Sequence, residues 1–162
     1  MLIRDLFRID TAKSRSTDNY SPGEVPFVTN IESNNGVVCY VEPFEDDKVF
    51  ENPAICISGL GYATVHRIRF LPKGNGGDSC TVLTPHESCS NTELLYYAAL
   101  FNTLHKWRFS FGRKANKRRL EKLDLKPLFK ESPVEVVSES EEKNALMLRL
   151  LQENYSGFRT GV

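Results

Sequence analysis

From residue 26 to residue 83 the chain runs as short apolar stretches, rich in β-branched and aromatic residues and closed by turn signals. PFVT (26–29), VVCYV (37–41), AICIS (54–58), ATVHRIRF (63–70) and CTVL (80–83) read as strands, and Asn34-Asn35-Gly36 and Gly74-Asn75-Gly76-Gly77 read as turns. The pattern predicts a small, mostly antiparallel sheet. Ahead of it, Leu2, Ile3, Leu6, Phe7 and Ile9 fit a short amphipathic element, and TAKSRSTDNYSPGE (11–24) is polar and turn-rich.

The period then changes. Leu94, Tyr97, Ala98, Phe101 and Leu104 recur at helical spacing and predict a helix over 91–106, with Asn91 or Thr92 as its cap and Glu93 favourable in its first turn. A second helix is predicted over 115–123. A third, over 138–155, places Leu146, Leu150 and Leu151 on about one face; its length of about 18 residues corresponds to roughly 27 Å. Strands first and helices later indicate an α+β fold: a small, mostly antiparallel twisted sheet with flanking helices and a C-terminal helix. We expect one domain over 1–130 and an acidic linker with the terminal helix over 131–162.

Composition adds limits. With 40% hydrophobic and 26% charged residues in 162, a wholly disordered chain is excluded. The start, MLIRDLFRID, lacks the apolar stretch and cleavage site of a secretory signal, and no run approaches transmembrane length, so a cytoplasmic protein without a membrane partner is expected. Cys39, Cys56, Cys80 and Cys89 are scattered without a CxxC pair, as reduced thiols would be.

Lys and Arg total 21 against 21 Asp and Glu, so mean charge does not advertise a nucleic-acid binder, but the distribution is uneven. Lys106, Arg108, Arg113, Lys114, Lys117, Arg118, Arg119 and Lys122 face the single acid Glu121, whereas Glu131, Glu135, Glu139, Glu141, Glu142 and Glu153 outnumber Lys143 and Arg149 further on. Such segregation points to a surface facing a polyanion.

Few motifs carry chemistry. Gly59-Leu60-Gly61 opens like a dinucleotide loop, but the β-branched TVHRIRF follows where a helix is required, so a tight turn between strands is expected. His66, His86 and His105 share no ligand spacing, and the pair His86 and Cys89 does not make a metal site. Glu141-Glu142-Lys143 could serve a small metal-dependent nuclease, yet the same residues are ordinary chemistry for a solvated helix. No GxSxG nucleophile motif occurs. We therefore expect no catalytic residue and no metal. The strongest local signal is RFSFGRKANKRRL (108–120): Trp107, Phe109 and Phe111 are expected to anchor a loop on the core, Gly112 to allow a bend, and Arg108, Arg113 and Lys114 to project toward phosphates, the plainer alternative being a solvated basic face.

Taken in order, GEVPFVTN (23–30), NNGVVCYV (34–41), AICISGLGYATV (54–65), ELLYYAALFN (93–102) and FSFGRKANKRRLEKLDLKPL (109–128) resemble the target recognition domain of type I restriction-modification specificity subunits, a domain also found in some type II enzymes. The last segment is the most specific, because the family tends to place aromatic-Ser-aromatic-Gly-Arg before a short basic helix and a Leu/Ile-Pro exit. Here the exit reads LDLKPL, a small departure. The resemblance covers about residues 1–130 and implies a non-catalytic module that reads a few base pairs of duplex DNA. Methyltransferase and restriction subunits would then be its partners, and S-adenosylmethionine, ATP and magnesium would belong to them. Family subunits usually carry two such domains held apart by long helices; this chain has one, which suits a half-subunit, a free-standing module or a fragment.

On this resemblance, base contacts are expected from the loop Ser14, Arg15, Ser16 and Thr17, with Asn30, Asn34, Asn35 and Tyr62 as further candidates. Lys13, Lys73, Arg108, Arg113, Lys114, Lys117 and Arg118 are the phosphate candidates, and Arg67 and Arg69, expected on the strand after Tyr62, are weaker ones. Asn-Asn-Gly is equally what a hairpin turn requires. The terminal helix would dock a partner or a second copy, making a homodimer, or else pack on its own sheet. The competing functions are the small nuclease and a protein interaction module of the same fold that does not touch DNA.

Overall fold

A computed structural model describes residues 1–126 and 133–158 and divides the chain into two compact units, Met1–Lys126 and Pro127–Val162. The boundary expected at 130 lies outside the described residues.

In the first unit, helix α1 (Ile3–Leu6) is a single turn leading into strand β1 (Phe7–Thr11). Strands β2 (Pro22–Val28), β3 (Val37–Val41), β4 (Ala54–Ile57), β5 (Ala63–His66), β6 (Leu71–Pro72) and β7 (Thr81–Pro85) follow, then helices α2 (Asn91–His105) and α3 (Lys117–Leu120). The strands make two sheets where one was expected. A four-stranded sheet, β1-β7-β4-β5, is antiparallel throughout; a three-stranded sheet, β3-β2-β6, pairs β2 with β3 antiparallel and with β6 parallel.

Two sheets follow from burial on both faces. Successive side chains of a strand point to opposite sides. Ile55 and Ile57 of β4 and Leu83 of β7 pack with Leu94, Ala98 and Phe101 of α2, while Ala54, Cys56 and Val82 pack with Val28, Phe50 and Phe70 beside the second sheet. Every residue of β4 and β5 is therefore buried; β4 reads as an uninterrupted apolar run, whereas β5 keeps Thr64 and His66, which satisfy each other across 2.8 Å. The run 63–70 does not continue as one strand. It breaks after His66, exposing Arg67, Ile68 and Arg69, and the chain crosses to the other sheet, where Leu71 pairs with Phe27.

Local chemistry sets the ends of the elements. The cap of α2 is Ser90, not Asn91 or Thr92: its Oγ accepts from the Glu93 amide (3.2 Å) and the Glu93 carboxylate accepts from the Ser90 amide (2.7 Å). The second predicted helix shortens to the single turn α3, capped by the Asn116 side chain, which accepts from the Arg119 amide at 3.0 Å. The first unit closes where Ile3 donates to the Leu123 carbonyl and Leu125 to that of Met1.

The second unit is helix α4 (Pro133–Phe158), 26 residues and about 39 Å long, well beyond the length expected. Leu146, Leu150 and Leu151 are all more than half exposed on it. Among the described residues, no helix is long and apolar enough to cross a membrane.

Candidate nucleic-acid interface

The basic segment leaves α2 through a 3-10 turn, Lys106–Arg108, and forms a tongue. At its tip Ser110 and Arg113 exchange both backbone hydrogen bonds (3.1 and 3.0 Å) around Phe111 and Gly112, so the expected bend is present. The tongue is then tied down by the Ala115 amide, which donates to the Gly59 carbonyl at 2.8 Å. Gly59-Leu60-Gly61 is the tight turn between β4 and β5 that its sequence context implied: the Gly61 amide donates to Ser58 and the Ser58 amide to Tyr62. Asn30 fixes the same turn by accepting from the Gly59 amide at 3.1 Å.

Only one of the three aromatics anchors this tongue. Phe109 is 9% exposed and lies parallel to Phe101, ring centres 6.3 Å apart, directly against Gly61. Trp107 and Phe111, expected to be anchors too, are 73% and 80% exposed. The reason is room. The core under the tongue is filled by Phe101, Phe109, Ala115 and Leu120, and the tight turn points Phe111 away from it.

On one side of Phe109 lies a cleft of about 270 Å³ lined by Arg108, Arg113, Arg118, Arg119 and Lys122. All five cations are exposed. Arg108 is oriented: its Nε donates to His105 Nδ1 (3.1 Å), and His105 Nε2 meets the Asp124 carbonyl at 2.6 Å. With Nδ1 accepting and Nε2 donating, the imidazole is neutral, in line with the lowering of its pKa by burial. Arg119 donates to the Lys114 carbonyl, bracing α3 against the tongue. Sequence reasoning omitted Arg119 and Lys122 as phosphate candidates; their spacing from Arg118, one and four residues on, was the available signal. Lys117 is exposed but does not line this cleft.

Lys114 and Lys73 behave differently from expectation. Lys114 does not project: its side chain is 20% exposed, ion-paired to Asp78, with Nζ 4.2 Å from the centre of the Phe111 ring. Lys73 reaches the same carboxylate at 3.7 Å. The two lysines, Lys114 above all, hold the Asp78 carboxyl below its ordinary pKa.

The loop 13–17 is brought against the turn 73–78. Ser14 Oγ accepts from the Gly74 amide (2.7 Å), Lys13 gives its carbonyl to Lys48, and Ser16 and Thr17 border a hollow of about 250 Å³ with Lys73 and Asp78. Lys13 and Ser16 are exposed. Arg15 is engaged within the fold, paired with Asp46 at 2.9 Å and lying 3.9 Å over the Phe44 ring. Asn34 and Asn35 adopt positive φ in the β2–β3 turn, and their amides donate to the Val37 and Val65 carbonyls at 3.0 and 2.8 Å. The amide groups of Asn30, Asn34 and Asn35 thus serve the fold. Tyr62 lies under Lys106, which is itself paired with Glu32 at 2.7 Å, and Arg67 and Arg69 are exposed on an irregular segment rather than on a strand.

Among the described residues no group of three or more His, Cys, Asp or Glu is placed to hold a metal ion. His86 and Cys89 line a separate pocket, where burial and then the Glu93 charge push the Cys89 thiol up to about 11, away from thiolate chemistry. All four cysteines are free. Lys143 pairs with Glu139 along α4, and Glu141 and Glu142 are exposed there.

Residues 1–126 match the family model described as the type I restriction modification DNA specificity domain. The chain belongs to that family. As a specificity domain it also shares its fold with solved structures. One chain, from work on complex assembly and conformational transition of the type I restriction-modification system, is 18% identical with a TM-score of 0.60 over 98% of this chain. The HsdS subunit from Thermoanaerobacter tengcongensis is 16% identical with a TM-score of 0.55 over 100% of this chain. The specificity domain spans only 42% and 39% of those two chains. No curated protein matches it. Its α+β architecture, with antiparallel pairing and a C-terminal helix, is that of these subunits, and its class of function is DNA sequence specificity in type I restriction-modification.

Proposed function

We propose that this chain reads a short stretch of duplex DNA as a non-catalytic specificity module, and that it directs methyltransferase and restriction subunits to that site from the cytoplasm. The observation that carries the reading is the five-cation cleft beside Phe109, in which Arg108, Arg113, Arg118, Arg119 and Lys122 converge. Clustered guanidinium groups neutralise phosphates and fix register without reading sequence. Base contacts then fall to the exposed polar loop at Ser16 and Thr17, next to Lys73 and Lys13. S-adenosylmethionine, ATP and magnesium act on the partner subunits. The exposed Leu146, Leu150 and Leu151 of α4 support pairing with a second copy or docking to a partner helix.

The test is binding of the purified chain to a random duplex DNA pool across a salt series. A short enriched motif is expected, with affinity falling as salt rises, and Arg113→Ala/Arg118→Ala should flatten the log–log salt slope by about 0.9 for each phosphate that is no longer neutralised. Capture of a methyltransferase subunit with no DNA retained, even at low salt, would favour the interaction module instead.

A further inference from the structure

Phe109 also borders a second, broad groove of about 550 Å³, and the two exposed rings of the tongue, Trp107 and Phe111, both line it together with Leu60 and Ser110. Two large aromatic side chains at 73% and 80% exposure that share one groove form an exposed apolar patch of the kind that serves as an interaction site. Both rings are held ready. The Trp107 indole N–H donates to the Leu104 carbonyl at 2.9 Å, which fixes the ring plane, and the Arg108 guanidinium lies 4.6 Å over it. Phe111 sits at the tip of the doubly bonded turn with Lys114 against its ring. Each ring therefore carries a cation and still leaves most of its surface to solvent.

The charge around the rings selects the occupant. No acidic residue occurs between Glu93 and Glu121 in the sequence. Glu32 and Asp78, which approach from elsewhere in the chain, are each paired to a lysine of the tongue. An apolar, flat-faced surface with Lys106 in its lining and Arg108 and Lys114 against its two rings complements a ligand that is itself flat-faced and bears phosphates. A protein partner would need its own acidic frame around an aromatic pocket, whereas a nucleic acid offers both features in every nucleotide.

Resting on the DNA-reading function proposed above, we propose that Trp107 and Phe111 form a stacking platform for a base displaced from the helical stack, or wedge into an opened base step. The tongue then senses how easily the duplex opens locally, while the arginine cleft holds the adjacent phosphates. This is recognition by deformability, at positions where no polar side chain need touch a base edge.

Trp107 is the sole tryptophan, so its fluorescence reports this site without a label. The full chain is titrated with random-sequence duplex DNA, either perfectly paired or carrying a single-base bulge. The expected result is quenching of Trp107 and its protection from acrylamide, with the bulged duplex bound more tightly. Phe111→Ala should weaken bulge binding about tenfold and leave the salt slope unchanged, and Phe111→Tyr should restore it. If DNA is bound but Trp107 remains unquenched and Phe111→Ala discriminates as the parent does, the platform is refuted while the DNA reading stands. If the parent chain binds neither duplex at low salt, the DNA reading itself fails and the platform with it.

Discussion

Replacing Gly61 by alanine probes the joint that positions the whole tongue. The residue has φ +83°, in the left-handed region, and an added Cβ would stand 2.4 Å from Phe109 Cδ2 and 2.8 Å from its Cβ and Cγ. Two penalties combine: left-handed backbone at a residue with a Cβ, about 1–2 kcal/mol, and overpacking of a filled core, about 1–3 kcal/mol. Phe109 cannot swing out freely, because it lies along Phe101 and is 9% exposed. The total of about 2–5 kcal/mol corresponds to a fall in melting temperature of about 6–15 °C for a domain of this size. Thermal unfolding followed by circular dichroism measures it, with two glycines as internal standards. Gly76 has φ +69° but nothing within 4 Å of an added Cβ, so Gly76→Ala carries the backbone penalty alone. Gly112 has neither a positive φ nor a neighbour within 4 Å, and Gly112→Ala should lie within about 0.5 kcal/mol of the parent. If Gly61→Ala melts no lower than Gly76→Ala, the packing argument is wrong and Phe109 is not the fixed wall between the two grooves.

Three further outcomes follow from particular contacts. Asn102 of α2 accepts from the Ala63 amide (2.8 Å) and donates to its carbonyl (2.9 Å), so Asn102→Ala should strand two backbone groups of β5 and lower stability by about 2–4 kcal/mol, read as a lower urea midpoint at unchanged m-value. His66 is buried, 2.8 Å from Thr64 Oγ1, and burial lowers its pKa to about 4 from 6.5. The unfolded chain therefore takes up the proton first; the contribution is complete above pH 6.5 and is lost as pH falls toward 4, by about 3 kcal/mol, a slope that His66→Phe should remove from a pH series of melting curves. Asp78→Asn should release Lys114 and Lys73 and steepen the salt slope of DNA binding by up to about 1.8 if both reach phosphate; an unchanged slope would show that neither lysine is available to DNA.

What the sequence determined by itself was local. Asn34-Asn35-Gly36 makes a turn because its residues tolerate positive φ, the helix 91–105 follows its apolar spacing, and the excess of cations between Lys106 and Lys122 is legible in the chain, five of them lining one cleft. The ordered segments from GEVPFVTN to FSFGRKANKRRL were enough to place the chain among type I specificity domains. The tertiary structure decided everything that depends on partners distant in sequence. The run at 54–57 is apolar throughout and the run at 63–66 alternates, yet both are buried on both faces, and neither pattern says that helix α2 would cover one face and a second sheet the other. Trp107, Phe109 and Phe111 are chemically alike on paper, and only the filled core around Phe101 and the missing Cβ of Gly61 select Phe109 as the anchor and leave its neighbours exposed. Lys114 looked free because Asp78 lies far away in sequence, and Ser14 looked like a reader because Gly74 does. A side chain's neighbours along the chain fix its backbone, but its availability to a ligand is set by what folding brings beside it.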